Sequence, residues 1–454
     1  MNHHIFRQYD IRGIAESDLD NKTVFKLGKA IGSEVYKRMG KEATIAVGFD
    51  MRLSSTRLFE QLSAGIISTG VNVRSLGMVP TPLVYFSKYF DEFQGCVQIT
   101  GSHNPGEYNG FKMMIGADTL HGEDIQNLKQ RMLDADFHEG VGQLEERPGI
   151  IEDYLSWVKE NIALDENLKR PKVVLDCGNG VAGVCAMDLM EGVLGCETIG
   201  MYLEPDGNFP NHHPDPTVPE NLVDLSAAVL KHKADFGVAY DGDGDRIGIV
   251  DEKGKMVFGD MLMVILSRAL LKEIPGAKII GEVKCSQHLF DDIRANGGEA
   301  IMAMVGHSLI KAKIKETNAQ LAGEMSGHVF YNDRFFGFDD ALYTTARLVE
   351  IFTKSKQTIS EMLEGIPEAF ATPELRIECP DEKKFDIPKR MGEIFAKEYE
   401  VNTMDGVRVK FAHGWGLCRA SNTQPALVVR VEASSAEERD AYLALLQNKI
   451  SELS

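Results

Sequence analysis

The sequence lacks the features that mark secreted, membrane-spanning or metal-cluster proteins. Its longest apolar stretch, residues 261–271, is interrupted by Ser267 and Arg268 and falls short of the roughly 20 residues that a membrane-spanning helix needs. Residues 1–7 lack the apolar core of a signal peptide. The seven cysteines form neither a C-x-x-C pair nor a zinc-like spacing. These absences predict a cytoplasmic protein with reduced thiols and no contact with a membrane.

The chain also has a deficit of positive charge. It has 49 Lys and Arg residues and 68 Asp and Glu residues, which gives a formal net charge of −19. Such an average field repels a phosphate-rich polymer, so no nucleic-acid partner is expected. A small anionic substrate stays possible, because a few basic side chains or a metal ion can reverse the sign of the charge within one cleft.

The sequence does contain repeated short apolar runs, each followed by a turn with Gly or Asp. They lie at residues 44–50, 71–76, 95–100, 172–176, 234–240, 277–281 and 300–305. This pattern is typical of buried strands in α/β units. After the first run, Leu58, Leu62 and Ile66 share one face of a predicted helix. Ligands bind beyond the carboxyl ends of such strands, so we expect the functional site in these turns.

The C-terminal part of the chain has a different pattern. Predicted strands at residues 375–379, 406–411, 416–419 and 426–432 follow one another with little helix between them. A final helix over residues 436–453 begins after Ser434 or Ser435 as its N-cap. A chain of 454 residues is too long to fold around a single hydrophobic core. The predicted domains are 1–147, 148–251, 252–362 and 363–454, the last a smaller α+β domain.

The first candidate motif is Thr-Gly-Ser-His-Asn-Pro at residues 100–105, at the end of a predicted strand. Small neighbours are expected to leave Ser102 exposed, with His103 beside it, as a seryl nucleophile requires. A tight surface turn explains the same residues about equally well, because Ser, Asn, Pro and Gly all favour turns. Lys112, ten residues further on, is either a source of positive charge for a phosphoryl group or a solvated lysine.

The second motif is Asp-Gly-Asp-Gly-Asp-Arg at residues 241–246. The carboxylates of Asp241, Asp243 and Asp245 can converge on one hard divalent cation, and the intervening glycines allow a tight turn. An EF-hand loop would also place Glu252 correctly, but it requires Gly where this chain has Arg246, and strands rather than helices flank the motif. Three carboxylates with open positions for a phosphate oxygen favour Mg²⁺, with a solvated acidic turn as the alternative.

Two further polar loops are candidates for substrate binding. Residues 323–328 contain Glu324 and Ser326, which suit sugar hydroxyls, although a helix-terminal turn explains them almost as well. Residues 419–425, Arg-Ala-Ser-Asn-Thr-Gln-Pro, combine a guanidinium with hydroxyl and amide groups. Such a loop is either a phosphate cradle or a polar hairpin connection.

In this order and at this spacing, the motifs resemble the α-D-phosphohexomutase superfamily, and most closely its bacterial phosphomannomutase/phosphoglucomutase branch. The resemblance extends over essentially the whole chain and includes residues 6–13, 100–105, 176–183, 241–246, 306–311, 323–328 and 419–425. It implies an α/β fold of four domains around a central cleft. Three related domains would have mixed sheets, and the fourth would be the smaller C-terminal α+β domain.

The resemblance also implies roles for individual residues. Ser102 would be carried as phosphoserine, with Mg²⁺ bound by its phosphate and by Asp241, Asp243 and Asp245. The candidates for proton transfer and charge stabilisation would be His103, Lys112 and Arg246. The residues that would contact the substrate are Tyr9, Arg12, Lys284, His307, Glu324, Ser326 and His328. The distal phosphate would contact Arg419, Ser421, Asn422 and Thr423.

The implied activity is the interconversion of hexose 1-phosphate and hexose 6-phosphate, with mannose or glucose as the sugar. Ser102 would donate and recover the phosphoryl group through a bound 1,6-bisphosphate, and hexose 1,6-bisphosphate would act as activator. We expect a monomer or a weak homo-oligomer. A phosphoglucosamine mutase would keep this mechanism with another sugar. A Mg²⁺-dependent sugar phosphatase would release phosphate, and a sugar-phosphate binding protein would show no turnover.

Overall fold

The computed structural model describes residues 2–165, 167–421 and 425–454, and the strands within them form four sheets. The first sheet contains β1 (Ile11–Ile14), β2 (Thr44–Phe49), β3 (Asn72–Met78), β4 (Gly95–Ile99), β5 (Tyr108–Ile115), β6 (Asp118–Thr119) and β7 (Leu144–Glu146). Its order is β1-β5-β4-β2-β3-β7, with β6 beside β5. The sheet is mixed, because β2 is parallel to β3 and β4 whereas β5 is antiparallel to β4 and β1.

Four helices pack around this first sheet. They are α1 (Asn21–Met39), α2 (Ser55–Ile67), α3 (Thr81–Phe90) and α4 (Glu123–Asp134), and a short 3-10 turn, His3–Ile5, precedes them. The side chain of Asp20 accepts a hydrogen bond from the backbone of Thr23 and so caps α1. Leu58, Leu62 and Ile66 are fully buried on one face of α2, as their spacing predicts.

The second sheet has the order β12-β11-β10-β8-β9. Its elements are α5 (Ile150–Asn161), β8 (Lys172–Asp176), β9 (Glu197–Met201), α6 (Val223–His232), β10 (Phe236–Tyr240), β11 (Ile247–Val250) and β12 (Met256–Val257), with short helical turns at Val181–Val184, Asp188–Val193 and Pro219–Leu222. The sheet extends past the predicted limit at residue 251, because β12 folds back to pair with β11.

The third sheet has the order β14-β13-β15-β16. Its elements are α7 (Gly259–Glu273), β13 (Lys278–Glu282), α8 (Gln287–Ala295), β14 (Glu299–Ala303), α9 (His307–Thr317), β15 (Leu321–Gly323), β16 (Val329–Tyr331), α10 (Ala341–Ser355) and α11 (Ile359–Met362). The strands β14, β13 and β15 are parallel, and β16 is antiparallel to β15, as β11 is to β10 in the second sheet.

The fourth sheet is antiparallel, with the order β17-β22-β21-β20-β19 and β18 beside β22. Its elements are β17 (Phe370–Ala371), β18 (Leu375–Glu378), α12 (Asp386–Phe395), β19 (Glu400–Asn402), β20 (Val407–Phe411), β21 (Gly414–Ala420), β22 (Ala426–Ala433) and α13 (Ala436–Leu453). Ser435 caps α13 as predicted. The expectation of little helix between the strands missed α12, which buries Ile387, Met391 and Phe395 at helical spacing.

The first three sheets position their loops in the same way. In each, a parallel strand is followed by an antiparallel neighbour, and the connection between them carries one of the sequence motifs: β4 to β5, β10 to β11, and β15 to β16. The predicted fold class is confirmed, with three mixed α/β sheets and a smaller antiparallel C-terminal unit. Within the described residues, no helix combines the length and apolar character that crossing a lipid bilayer requires.

Candidate active site

The seryl loop, residues 100–108, connects β4 to β5 and carries Ser102. The Ser102 hydroxyl donates to Asp241 Oδ2 at 2.8 Å and lies 3.1 Å from Nδ1 of His103. Ser102 is only 2% exposed, so the expectation of an exposed serine was wrong. The cause is a contact between two sheets, because the loop after β10 covers the serine.

That covering segment is the acidic loop, residues 241–246, between β10 and β11. Asp241, Asp243 and Asp245 are fully buried, and one carboxylate oxygen of each lies within 4.8 Å of the others. Asp241 Oδ1 accepts three backbone hydrogen bonds from its own loop, which fixes the turn. At Gly242 a Cβ would lie 2.4 Å from the carbonyl oxygen of Ser102, so glycine allows the two loops to touch.

Lys112 on β5 brings a positive charge into the acidic loop. Its Nζ lies 2.7 Å from Asp243 Oδ2 and also donates to Asp245 Oδ2. Burial disfavours the ammonium, but these two carboxylates outweigh it and raise the pKa of Lys112 above its usual value. In this structure Lys112 therefore offsets part of the negative charge of the predicted metal ligands.

The sugar loop, residues 323–328, lies between β15 and β16 and reaches the acidic loop through His328. His328 Nδ1 is 2.7 Å from Glu324 Oε2, and His328 Nε2 is 3.2 Å from Asp245 Oδ1. Arg246 Nε lies 3.3 Å from the same Nε2 atom. Ser326 Oγ is 3.4 Å from His328 Nδ1, at the edge of hydrogen-bonding distance. Three motifs distant in sequence thus form one connected polar cluster.

Three other predicted residues lie around this cluster. The Tyr9 hydroxyl donates to the backbone carbonyl of Val305 at 2.7 Å. His307 begins α9, and its ring centroid is 5.7 Å from that of His328. Arg12 pairs with Asp10, two residues before it in the chain. Tyr9 thus ties the N-terminal segment to the loop that precedes α9.

The predicted phosphate cradle lies on the fourth sheet. Arg419 Nε is 3.0 Å from Asp405 Oδ2, and the same carboxylate oxygen accepts a hydrogen bond from the backbone of Val305. Lys284, from the third sheet, pairs with Glu374 of the fourth at 3.1 Å. Ser421 is buried at the start of the loop. The predicted ligands Asn422 and Thr423 lie outside the described residues.

Models of the phosphoglucomutase/phosphomannomutase family match the chain in four consecutive segments: the α/β/α domains I, II and III at residues 3–139, 152–254 and 258–370, and the C-terminal domain at residues 374–447. The chain belongs to this family. A phosphomannomutase/phosphoglucomutase of Pseudomonas aeruginosa is 45% identical over 98% of this chain and 95% of its own length.

Two further comparisons agree with the family assignment. A protein of Neisseria gonorrhoeae named phosphoglucomutase is 43% identical over 98% of this chain and 95% of its own. A crystal structure of a phosphoglucomutase/phosphomannomutase family protein from Burkholderia thailandensis superposes with a TM-score of 0.90 at 41% identity. It covers 100% of this chain and 97% of that one. The resemblance seen in the motifs is confirmed over the full length of the chain.

The acidic loop of this phosphoglucomutase/phosphomannomutase family member fits a metal ion. Oδ1 of Asp243 is buried and has no hydrogen-bond partner within the described part of the chain. Burial and then the charges of Asp243 and Asp245 raise the pKa of Asp241 well above its usual value. A divalent cation would satisfy the orphaned oxygen and relieve the repulsion between the carboxylates.

The three histidines of the site differ in charge state. Burial, followed by the charge of Arg246, holds the pKa of His103 well below its usual value, and burial does the same for His307. Burial opposes the charged form of His328 too, but Asp245 outweighs it and raises the pKa of His328 to about 9. His103 is therefore a neutral imidazole beside the serine, whereas the carboxylates around His328 favour its charged form.

Three charged residues in or beside the site were not predicted from the sequence. Asp50 and Arg52 follow β2 and contact the seryl loop, and Asp405 joins Arg419 to the third sheet. The position of Asp50 and Arg52 at the carboxyl end of a buried strand was a usable signal. Asp405 precedes β20 in a short turn, and its sequence neighbourhood gives no comparable signal.

Proposed function

We propose that this chain is a phosphohexomutase that interconverts hexose 1-phosphate and hexose 6-phosphate, with mannose and glucose as its sugars. The observation that carries the proposal is the contact between Ser102 Oγ and the buried carboxylate cluster of the acidic loop. A seryl hydroxyl placed against a cation site suits the transfer of a phosphoryl group. Full-length relatives named phosphomannomutase/phosphoglucomutase support the same activity.

In the proposed reaction, phosphorylated Ser102 donates its phosphoryl group to the free hydroxyl of a bound hexose phosphate. The P–O bond to Ser102 breaks and a P–O bond to the sugar forms. The proton of the sugar hydroxyl passes to a base of the site, and the Ser102 oxygen takes up a proton to become a hydroxyl. The resulting 1,6-bisphosphate reorients, and Ser102 takes back the other phosphoryl group. Free hexose 1,6-bisphosphate would rephosphorylate Ser102 when the phosphate is lost, which makes it an activator.

Mg²⁺ is the metal that we propose for the acidic loop, bound by Asp241, Asp243, Asp245 and an oxygen of phosphoserine 102. It would supply positive charge to the transferring phosphoryl group. Lys112 and Arg246 are proposed to stabilise the same developing charge. His103, whose Nδ1 lies 3.1 Å from Ser102 Oγ, is the proposed partner for proton transfer at that oxygen.

The remaining predicted residues are proposed to hold the sugar and its second phosphate. Glu324 and Ser326 would bind sugar hydroxyls, and Glu324 is held in place by accepting a hydrogen bond from His328. The other proposed contacts to substrate are Tyr9, Arg12, Lys284 and His307. Arg419, Ser421, Asn422 and Thr423 would hold the phosphate that is not transferring. Specificity then depends on hydroxyls and on one phosphate cradle, since either end of the sugar has to bind.

We further propose a cytoplasmic enzyme that acts on a small-molecule sugar phosphate as a monomer or a weak homo-oligomer. All seven cysteines are buried and unpaired, which agrees with a reducing compartment.

The test is the initial rate of isomerisation of glucose 1-phosphate, mannose 1-phosphate and glucosamine 1-phosphate, with Mg²⁺ and a trace of hexose 1,6-bisphosphate. We expect turnover of the first two and its loss in Ser102→Ala. Ser87→Ala is the matched control, because this buried hydroxyl bonds only a carbonyl of its own helix in the described structure. Preference for glucosamine phosphate would change the assigned sugar, and phosphate release without isomerisation, unaffected by Ser102→Ala, would refute the proposal.

A further inference from the structure

Arg52 is a fully buried cation next to the seryl loop, in the turn that follows β2. Its side chain has 0% exposure, as does that of its partner Asp50. A buried guanidinium is costly unless hydrogen bonds compensate for the lost water. The hydrogen-bond partners of Arg52 therefore indicate its role in the structure.

Each N–H of the Arg52 guanidinium has an acceptor, and four of these acceptors are backbone carbonyls of the seryl loop. Nη2 donates to the carbonyls of Ser102 and Asn104 at 2.7 and 2.6 Å. Nη1 donates to those of Pro105 and Tyr108 at 2.6 and 2.9 Å. Nε donates to Asp50 at 3.1 Å, which uses the fifth N–H. The Arg52 side chain alone thus binds backbone carbonyls along the seryl loop.

Asp50 fixes the guanidinium and the start of the same loop together. Its Oδ2 accepts from Thr100 Oγ1 at 2.8 Å and from the backbone N–H of Gly101 at 3.2 Å. At Gly101 a Cβ would lie 2.4 Å from Arg52 Cζ, so only glycine leaves room for the guanidinium. These contacts fix the position of the guanidinium relative to Thr100 and Gly101.

The loop that Arg52 binds holds Ser102 in an unfavourable conformation. Ser102 has φ of +50°, in the left-handed region that residues other than glycine rarely adopt. In this conformation its carbonyl points to Arg52 while its hydroxyl points to Asp241. Since Arg52 bonds the carbonyl and the acidic loop bonds the hydroxyl of the same residue, a shift of the carbonyl would displace the hydroxyl from Asp241.

Two residues of the second domain contact Arg52 and the seryl loop. The ring of Phe209 lies 5.4 Å from Arg52 Cζ, in the range of a cation–π contact. His213 Nε2 contacts the backbone carbonyl of His103, the next residue of the loop. Arg52 is therefore held between the loop that carries the serine and the domain that carries the acidic loop.

We propose that Arg52 is a positioning residue, which binds the carbonyls of the seryl loop and so holds the Ser102 hydroxyl against the acidic loop for phosphoryl transfer. The proposal rests on the proposed function of Ser102. Lysine cannot replace Arg52, because an ammonium has three donors without the planar fork of five. Since Arg52 does not contact the acidic-loop ligands or the substrate loops in the described structure, its loss should lower kcat and leave KM nearly unchanged.

The experiment compares the wild type with Arg52→Lys, Arg52→Ala and the matched control Arg347→Lys. Arg347 is another buried arginine, bonded to Asp333 and stacked on Tyr331 in the third domain. Each protein is incubated with glucose 1,6-bisphosphate, and phosphate at Ser102 is followed by mass spectrometry. Steady-state rates and thermal unfolding are measured in parallel, and guanidinium chloride at low millimolar concentration is added to Arg52→Ala.

We expect Arg52→Lys to lower kcat and the rate of Ser102 phosphorylation at least about 100-fold with KM within about threefold of wild type. Guanidinium should restore part of kcat to Arg52→Ala, and Arg347→Lys should keep kcat even where its unfolding temperature falls.

A folded Arg52→Lys with wild-type kcat and phosphorylation rate would overturn the inference, as would an equal loss of kcat in Arg347→Lys. If Arg52→Lys does not fold, a folded Arg52→Ala that guanidinium fails to rescue overturns it as well. Failure of the wild type to acquire phosphate at Ser102 would instead refute the proposed function.

Discussion

The first three domains and the fourth are held together in different ways. One apolar cluster, here called the shared core, extends through all of the first three and includes Leu76, Leu175 and Leu262. The fourth domain has its own core, which includes Val409, Leu427 and Leu446. Val283 of the third domain joins Trp415 and Leu417 of the fourth in a much smaller apolar cluster. Packing thus makes one unit of three domains and leaves the fourth more independent.

Polar contacts carry much of the connection to the fourth domain. Lys284 pairs with Glu374, the backbone of Val305 donates to Asp405, and Ser286 donates to Glu432. Such bonds contribute about 1 kcal/mol each and can be exchanged for bonds to a ligand. The seryl and acidic loops are therefore fixed by a common core, whereas the proposed phosphate cradle is attached by polar contacts that are more easily exchanged.

The largest expected effect comes from the acidic loop of the three-domain unit. Asp243→Asn removes a buried carboxylate charge and should lower the isomerisation rate about 10³-fold or more, because the metal would bind weakly. Calorimetric titration with Mg²⁺ should show the loss of affinity directly. The control is Asp251→Asn, a buried carboxylate that holds a turn outside the site. An Asp243→Asn enzyme with normal Mg²⁺ affinity would contradict the assignment.

The next effect tests the independence of the two cores. Leu262→Ala and Leu446→Ala each remove a fully buried side chain and should cost about 3 kcal/mol. Leu446→Ala should produce a separate early unfolding transition of the fourth domain in scanning calorimetry. Leu262→Ala should lower the main transition. One transition that shifts equally in both variants would mean that the four domains unfold as a single unit.

A smaller effect is expected at the phosphate cradle. Arg419→Ala removes a charge-assisted contact to the proposed distal phosphate, so KM should rise roughly 10- to 100-fold with a lesser change in kcat. Arg390→Ala is the control, since this half-exposed arginine pairs within α12 of the same domain. If Arg419→Ala changed kcat and not KM, the residue would act in the chemical step and not in binding.

The smallest effect is a dependence of stability on pH in the shared core. Burial raises the pKa of Asp340, which caps α10 and accepts from Tyr154, to about 7. The folded state then keeps a proton that the unfolded chain releases near pH 4, so stability falls as pH rises from about 4 to 7.

Asp340→Asn preserves the cap and removes this titration. It should raise the free energy of unfolding more at pH 7.5 than at pH 4.5. Thermal unfolding at the two pH values measures the difference. An equal change at both pH values would show that the carboxyl of Asp340 does not titrate in this range.

Much of the fold followed from local patterns. The strand β8 at Lys172–Asp176 and the helix α13 at Ala436–Leu453 lie where the sequence predicts them, because apolar runs and a serine cap are local signals. The helix α12 was missed, since its buried residues are few and Pro388 lies among them. The predicted limit between the second and third domains lies before β12, whose pairing with β11 depends on a contact that periodicity does not show.

The sequence by itself determined the chemistry of the site: a serine between small residues, three aspartates at alternate positions, and the family to which these motifs belong. Only the tertiary structure decided which side chains meet. It buried Ser102, joined Lys112 to the aspartates, and placed Arg52 among the carbonyls of the seryl loop. The reason is physical, since residue type and spacing act along the chain, whereas burial and charge pairing depend on how separate sheets pack.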